Sequence, residues 1–141
     1  MCRIVIGNNT MNNLLQQMNE ICFNLTNLNE LTIDFDYSDF IRPYKLAVIA
    51  SFVEFIRREV DFQVKCVNIN TTNESYISRM NFFKEMGIEY FEHFHRHDPT
   101  GRFIPISRLN EINRNKMAGN VSKIIHTQWE GVHEYIIGCL D

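Results

Sequence analysis

Three short runs of β-branched and apolar residues, at 2–6 (CRIVI), 31–35 (LTIDF) and 62–69 (FQVKCVNI), are separated by segments whose apolar residues recur every three to four positions. This alternation constrains the fold more than any other feature of the chain. Extended runs separated by a helix-length segment cannot close as hairpins; the chain must cross over, which sets successive strands parallel. The expected class is therefore α/β, with a mostly parallel or mixed sheet of four to five strands, helices packed on it and a helical tail at the C-terminus.

Local signals place the elements. Gly7-Asn8-Asn9 closes the first strand, and Thr10 can cap a helix whose apolar positions are Met11, Leu14, Leu15, Met18, Ile21 and Cys22. Leu31, Ile33 and Phe35 alternate with Thr32, Asp34 and Asp36, giving a strand that is half-buried or central. After Tyr37-Ser38-Asp39 the pair Phe40-Ile41 is expected to turn inward, and Pro43 opens a helix, because a first-turn N–H has no partner to lose. That helix has an apolar surface wider than one stripe, from Leu46 through Val53 and Phe55 to Val60. Residues 62–69 read as an interior strand. Thr71 and Glu74 fit a capping box for a helix over 75–86 that ends at Gly87. Residues 88–94 (IEYFEHF) are expected to form a further strand, and 103–109 (FIPISRL) an extended edge segment that contains Pro105. From about residue 110 the chain turns helical, so the division expected is an α/β domain over 1–110 and an amphipathic tail over 111–141.

A chain of 141 residues can bury one real core, and 45% hydrophobic with 22% charged residues is the balance of a globular protein. With a net charge of −3 the molecule as a whole does not attract nucleic acid or an anionic membrane surface. No run approaches the ~18 apolar residues of a membrane span, and the opening MCRIVIG is too short and too quickly polar for a signal peptide. The four cysteines, Cys2, Cys22, Cys66 and Cys139, form no C-x-x-C pair and are expected to be free thiols of a cytoplasmic protein.

Two groups of residues could carry chemistry. His93, His95 and His97 alternate with Phe94 and Arg96, so in an extended chain the three imidazoles share one side and could hold a divalent metal such as zinc, with His126 or His133 completing the set. Against this, ligands two apart on one strand lie ~6.5 Å apart at the Cα, and a solvated histidine-rich loop is the plainer reading. Asp34, Asp36 and Asp39 lie at or just past a strand end, where α/β proteins place functional groups, but no nucleophile, oxyanion donor or glycine-rich loop accompanies them. No catalytic residue is assigned. In the tail, Trp129 with Ile125, Val132, Ile136 and Ile137 forms a face that either packs into a core or meets a further domain or a second subunit in a homodimer.

The segment IDFDYSDFIRPYKLAVIASFVEFIRR, followed by VKCVNI and NESYISRMNFFKEMGIEY, resembles a STAS-like domain. It is most similar to the STAS-like N-terminal half of bacterial proteins that carry a histidine-kinase-type (GHKL) ATPase domain behind it. The resemblance rests on Phe40-Ile41-Arg42-Pro43 and on Tyr76, Met80, Phe82, Phe83 and Gly87, and covers roughly residues 30 to 110. In the anti-sigma-factor antagonists of the parent family, the turn into this helix carries an aspartate-serine-serine-glycine motif with a phosphorylated serine. Here Arg42-Pro43-Tyr44-Lys45 stand in that place, so no phosphoserine switch is implied. Residues 117–141 are similar to a connecting or first helix of the ATPase domain, whose magnesium-binding asparagine and glycine motifs do not occur in this chain. The resemblance implies a non-catalytic regulatory module without a cofactor, whose partner is a protein, such as a GHKL-type ATPase domain in the same or an adjacent polypeptide. Asp36, Tyr37, Asp39, Arg42, Tyr44, Lys45 and Trp129 are the residues expected to meet it.

Overall fold

Helix and strand alternate from the first residues of the computed structural model, which describes residues 2–128. Strand β1 (Cys2–Val5) leads to helix α1 (Met11–Cys22), a single 3₁₀ turn (Leu25–Asn27), β2 (Glu30–Asp34), α2 (Pro43–Arg57) and β3 (Gln63–Val67). Then follow α3 (Thr71–Arg79), α4 (Phe82–Met86) and, after a long irregular stretch, α5 (Arg114–Gln128). The chain forms two compact units, Met1–Phe94 and His95–Asp141.

The first unit holds a three-stranded parallel sheet in the order β1-β2-β3. Cys2 stands opposite Leu31 and Val5 opposite Asp34, while Glu30 stands opposite Gln63 and Asp34 opposite Val67. Central β2 is covered on both faces: Leu31, Ile33 and Phe35 are buried, and so are Thr32 and Asp34 between them. β3 departs from expectation. Among the described residues it is an edge strand, with Gln63 and Lys65 exposed on one side. Its polar alternation describes an edge better than an interior strand. At the opposite edge, the Gln17 side chain pairs with Val5 as a neighbouring strand would, accepting from its N–H at 2.8 Å and donating to its carbonyl at 3.1 Å.

Helix α1 begins where Thr10 was expected to cap it, with Thr10 Oγ1 accepting from Asn13 N at 3.2 Å, and buries Leu14, Met18 and Ile21. Helix α2 starts at Pro43 and buries Leu46, Ile49, Val53 and Ile56, a single stripe, while Phe55 faces outward. Its buried surface is thus narrower than its apolar composition suggests. Each of these aliphatic side chains contributes about 1.5–3 kcal/mol on full burial.

The helix expected over 75–86 is broken in two. Asn81 adopts φ 62, ψ 18, a left-handed conformation that asparagine tolerates better than most residues. The break lets two consecutive aromatics, Phe82 and Phe83, both turn inward. Phe82 meets Phe35, the residue after β2, edge-on at 5.9 Å between ring centres, and Phe83 stacks on Tyr90 at 4.7 Å. Helix α3 is capped one residue earlier than the Thr71–Glu74 pattern suggests: Asn70 Oδ1 accepts from Thr72 N at 3.2 Å. Gly87, at φ 74, ends α4 as expected; its N–H donates to Lys84 O and Ile88 N–H to Phe83 O.

Residues 88–94 form no strand. Their side chains hold them against α3 and α4 instead: Tyr90 on Phe83, Glu92 accepting from Ser78 Oγ at 2.9 Å, and Phe94 beneath the Arg79 guanidinium at 4.4 Å. Residues 103–109 are likewise irregular, so the extended edge segment expected there does not form a strand. In the second unit, α5 is preceded by a reciprocal asparagine pair, in which Asn110 N–H donates to Asn113 Oδ1 and Asn113 N–H to Asn110 Oδ1, each at 2.9 Å. Gly101, at φ 77, lies so close to α5 that an added Cβ would come within 2.9 Å of Thr127 Oγ1. No helix among the described residues is long and apolar enough to cross a membrane.

Candidate functional site

Parallel strands bring three loops to one edge of the sheet, and the backbone there is unusual. Asp36 and Tyr37 both have φ 51 and Asn68 has φ 56, while Gly7 sits at φ 150. All four lie just past the C-terminal ends of β2, β3 and β1, the edge at which α/β folds place ligand and partner sites. Consecutive left-handed residues at 36 and 37, with Ser38 N–H donating to Phe35 O at 3.0 Å, form a type I′ turn built without glycine. Such conformations cost free energy and persist only where the surroundings hold them.

The holding groups are visible. Asp34 is buried at the end of β2, and its carboxylate is shared among three donors. Oδ1 accepts from Asp36 N at 2.8 Å and Asn68 Nδ2 at 3.0 Å, and Oδ2 pairs with Arg3 Nη1 at 2.9 Å. Tyr37 N–H donates to Asn68 O at 2.8 Å, and the buried Asn73 side chain donates to Ser38 O at 2.5 Å. Asn70 Nδ2 donates to Asp39 Oδ1 at 3.2 Å. Asp34 therefore works as a structural acceptor, and Asp36, turned outward by its positive φ, does not share a face with it as strand alternation would require.

The loop so fixed presents aromatic rings to solvent. Tyr37 is 65% exposed, Phe40 63% and Tyr44 47%. Phe40 thus points outward, contrary to expectation, and only Ile41 of that pair is buried. Asp36, Asp39 and Arg42 are also exposed. Lys45, expected beside them, is not: it is 6% exposed, and its Nζ donates to Gly7 O at 2.6 Å and Asn9 O at 2.7 Å. Two residues past Pro43, about 200° around the helix, the chain carries residue 45 back under the loop instead of outward. Between the 7–9 loop and the start of α2 lies a cleft of about 430 Å³, with Arg42, Tyr44, Lys45 and Asp39 in its walls.

The histidines at 93, 95 and 97 are divided between the two units. His93 belongs to the first unit and lies edge-on to Phe91 at 4.9 Å, whereas His95 and His97 belong to the second and lie 5.6 Å apart between ring centres. Among the described residues no group of three or more His, Cys, Asp or Glu side chains is placed to hold a metal ion. Neighbouring Asp98 is occupied locally: Thr100 Oγ1 and N–H both donate to its Oδ1, and these bonds hold its carboxyl below the usual value. Trp129, His133 and the apolar face that follows lie outside the described residues. Sequence reasoning missed Asn68 and Asn73, whose roles are conformational; a run of asparagines at 68, 70 and 73 following a strand was the available signal. Compared with protein-family models, with curated proteins and with solved structures, the chain matches none.

Proposed function

We propose that this protein is a non-catalytic regulatory module of STAS type that docks onto another protein through the loop joining β2 to α2. The observation that carries this reading is the fixed loop with the first turn of α2 that follows it, where Tyr37, Phe40 and Tyr44 stand in solvent and the loop backbone is pinned by Asp34, Asn68 and Asn73. Aromatic side chains kept exposed on a rigid support lose little entropy on association, and such residues dominate the energetics of interfaces. The STAS likeness is supported by the parallel β1-β2-β3 order, by Pro43 opening α2 after the Phe40-Ile41-Arg42 turn, and by Gly87 closing α4. The partner that this resemblance implies is a histidine-kinase-type ATPase domain in the same or an adjacent polypeptide.

Site-specific photocrosslinking in cells tests the proposal. A benzophenone amino acid at Tyr37 or Tyr44 is expected to capture a protein bearing an ATP-binding domain. The same label at Phe23, which is 80% exposed on the C-terminal side of α1, should not. Equal capture at all three positions, or capture only of a second copy of this chain, would sink the reading.

A further inference from the structure

We infer that the cleft between the 7–9 loop and the first turn of α2 binds a small molecule through an oxyanion, either a carboxylate or a phosphate group. Lys45 is the first reason. Its ammonium is buried, two of its three N–H groups are taken by the carbonyls of Gly7 and Asn9, and no carboxylate pairs with it among the described residues. A buried cation met only by carbonyl dipoles leaves most of its desolvation cost uncompensated, and a negative charge in the adjoining cleft would offset it.

Arg42 is the second reason. Its side chain is exposed on the cleft wall and has no hydrogen-bonded or ionic partner among the described residues, so a planar fork of donors stands available to a carboxylate or phosphate. The third is the helix between them. α2 runs for 15 residues with no side-chain cap at Arg42; Pro43 brings no N–H and the Lys45 N–H donates to Arg42 O at 3.1 Å, so the helix offers this space its positive dipole end and the Tyr44 N–H. The cleft also falls within the roughly 300–1,000 Å³ of small-molecule sites, which suits an oxyanion carried on a larger body. Asp39 is the opposing charge in the wall. Its Oδ1 is engaged by Asn70 from the β3 to α3 connection, but its carboxylate still weakens any anion bound here.

The inference does not rest on the docking reading, since it is tested with this chain alone. Thermal unfolding would be followed against inorganic phosphate, pyrophosphate, acetate and citrate, with sodium chloride at matched ionic strength as the control. At least one oxyanion is expected to raise the melting temperature saturably, and the phosphate and carboxylate arms separate the two sources. Arg42→Ala, a surface change, should weaken that binding by about tenfold or more, because one charge-assisted contact is lost. Asp39→Asn should strengthen it. Lys45→Met would also strip two carbonyls of their donor, so the two surface variants carry the test. No oxyanion effect beyond chloride, or an Arg42→Ala response equal to that of the unaltered chain, would overturn the inference.

Discussion

Asp34 and Lys45 are both buried charges at one end of the sheet, and the protein satisfies them in opposite ways. Asp34 has a cation and two further donors, so its removal should release the whole loop. Asp34→Ala leaves the Asp36 N–H, the Asn68 amide and Arg3 without their acceptor and is expected to cost about 3 kcal/mol in urea unfolding. Asp34→Asn keeps one acceptor oxygen and should cost roughly half of that. Midpoints unchanged in both variants would mean that the carboxylate does not hold the turn. Cys66 makes a different residue-scale case. Burial pushes its thiol from 9.0 up to about 12, so it stays protonated where an ordinary cysteine ionises. Alkylation of the native protein at pH 8 should label the exposed Cys22 and spare Cys66. The sign of the linkage follows from the raised value: the stabilising contribution is complete below pH 9 and is lost as pH rises through about 12. Cys66→Ala should therefore flatten the alkaline loss of stability, and an unaltered alkaline limb would argue against a buried thiol.

Among the elements, α4 is the one whose stability depends most on a neighbour. Five residues cannot sustain a helix by propensity, and its ends are fixed from outside. Arg57, in the last turn of α2, donates from Nη1 to Glu85 O at 3.0 Å and from Nη2 to Met86 O at 2.6 Å, supplying the carbonyls that the helix terminus leaves over. Arg57→Ala is expected to lower stability by about 2 kcal/mol, and Gly87→Ala, which forces a side chain into φ 74, by about 1 kcal/mol. Because both act on one terminus, the double variant should cost less than the sum, a coupling that a double-mutant cycle reads directly. Strict additivity would mean that the two residues act separately. The C-terminal glycine was legible in the sequence because left-handed geometry selects for it, and so were Thr10 and Pro43, whose signals are local. The Asn81 break was not, since the sequence around it has the period of one continuous helix; what decides the matter is the burial of both Phe82 and Phe83 against β2 and Tyr90. The strand expected at 88–94 fails for the same reason. Its apolar and polar positions alternate, but Tyr90 and Glu92 find partners on α3 and α4, and alternation alone does not say what lies opposite. Lys45 was misplaced because helix period fixes a direction only once the packing of the preceding turn is known.

At the scale of the whole molecule, the buried apolar side chains are distributed very unevenly. Among the described residues every one of them lies between Ile4 and Met86, within the first unit, which also contains the entire sheet. Together these side chains, from Ile4 to Met86, make a core of ordinary globular kind inside the first unit, and a unit that holds its own core is one that can fold alone. A chain ending at Phe94 is therefore expected to fold on its own, with a cooperative transition by circular dichroism and a melting temperature within about 5 °C of the full chain, a difference of roughly 1 kcal/mol at this size. The exposed Phe91, at the end of that unit, makes poor solubility the first thing to check by light scattering before the transition is measured. A truncated chain that is soluble but melts without cooperativity would show that the core depends on the second unit. A cooperative transition would instead make 1–94 the minimal body on which the docking loop and the Lys45 cleft can be studied, since Gly7, Asp34, Asn68 and Asn73, which shape both, all lie within it.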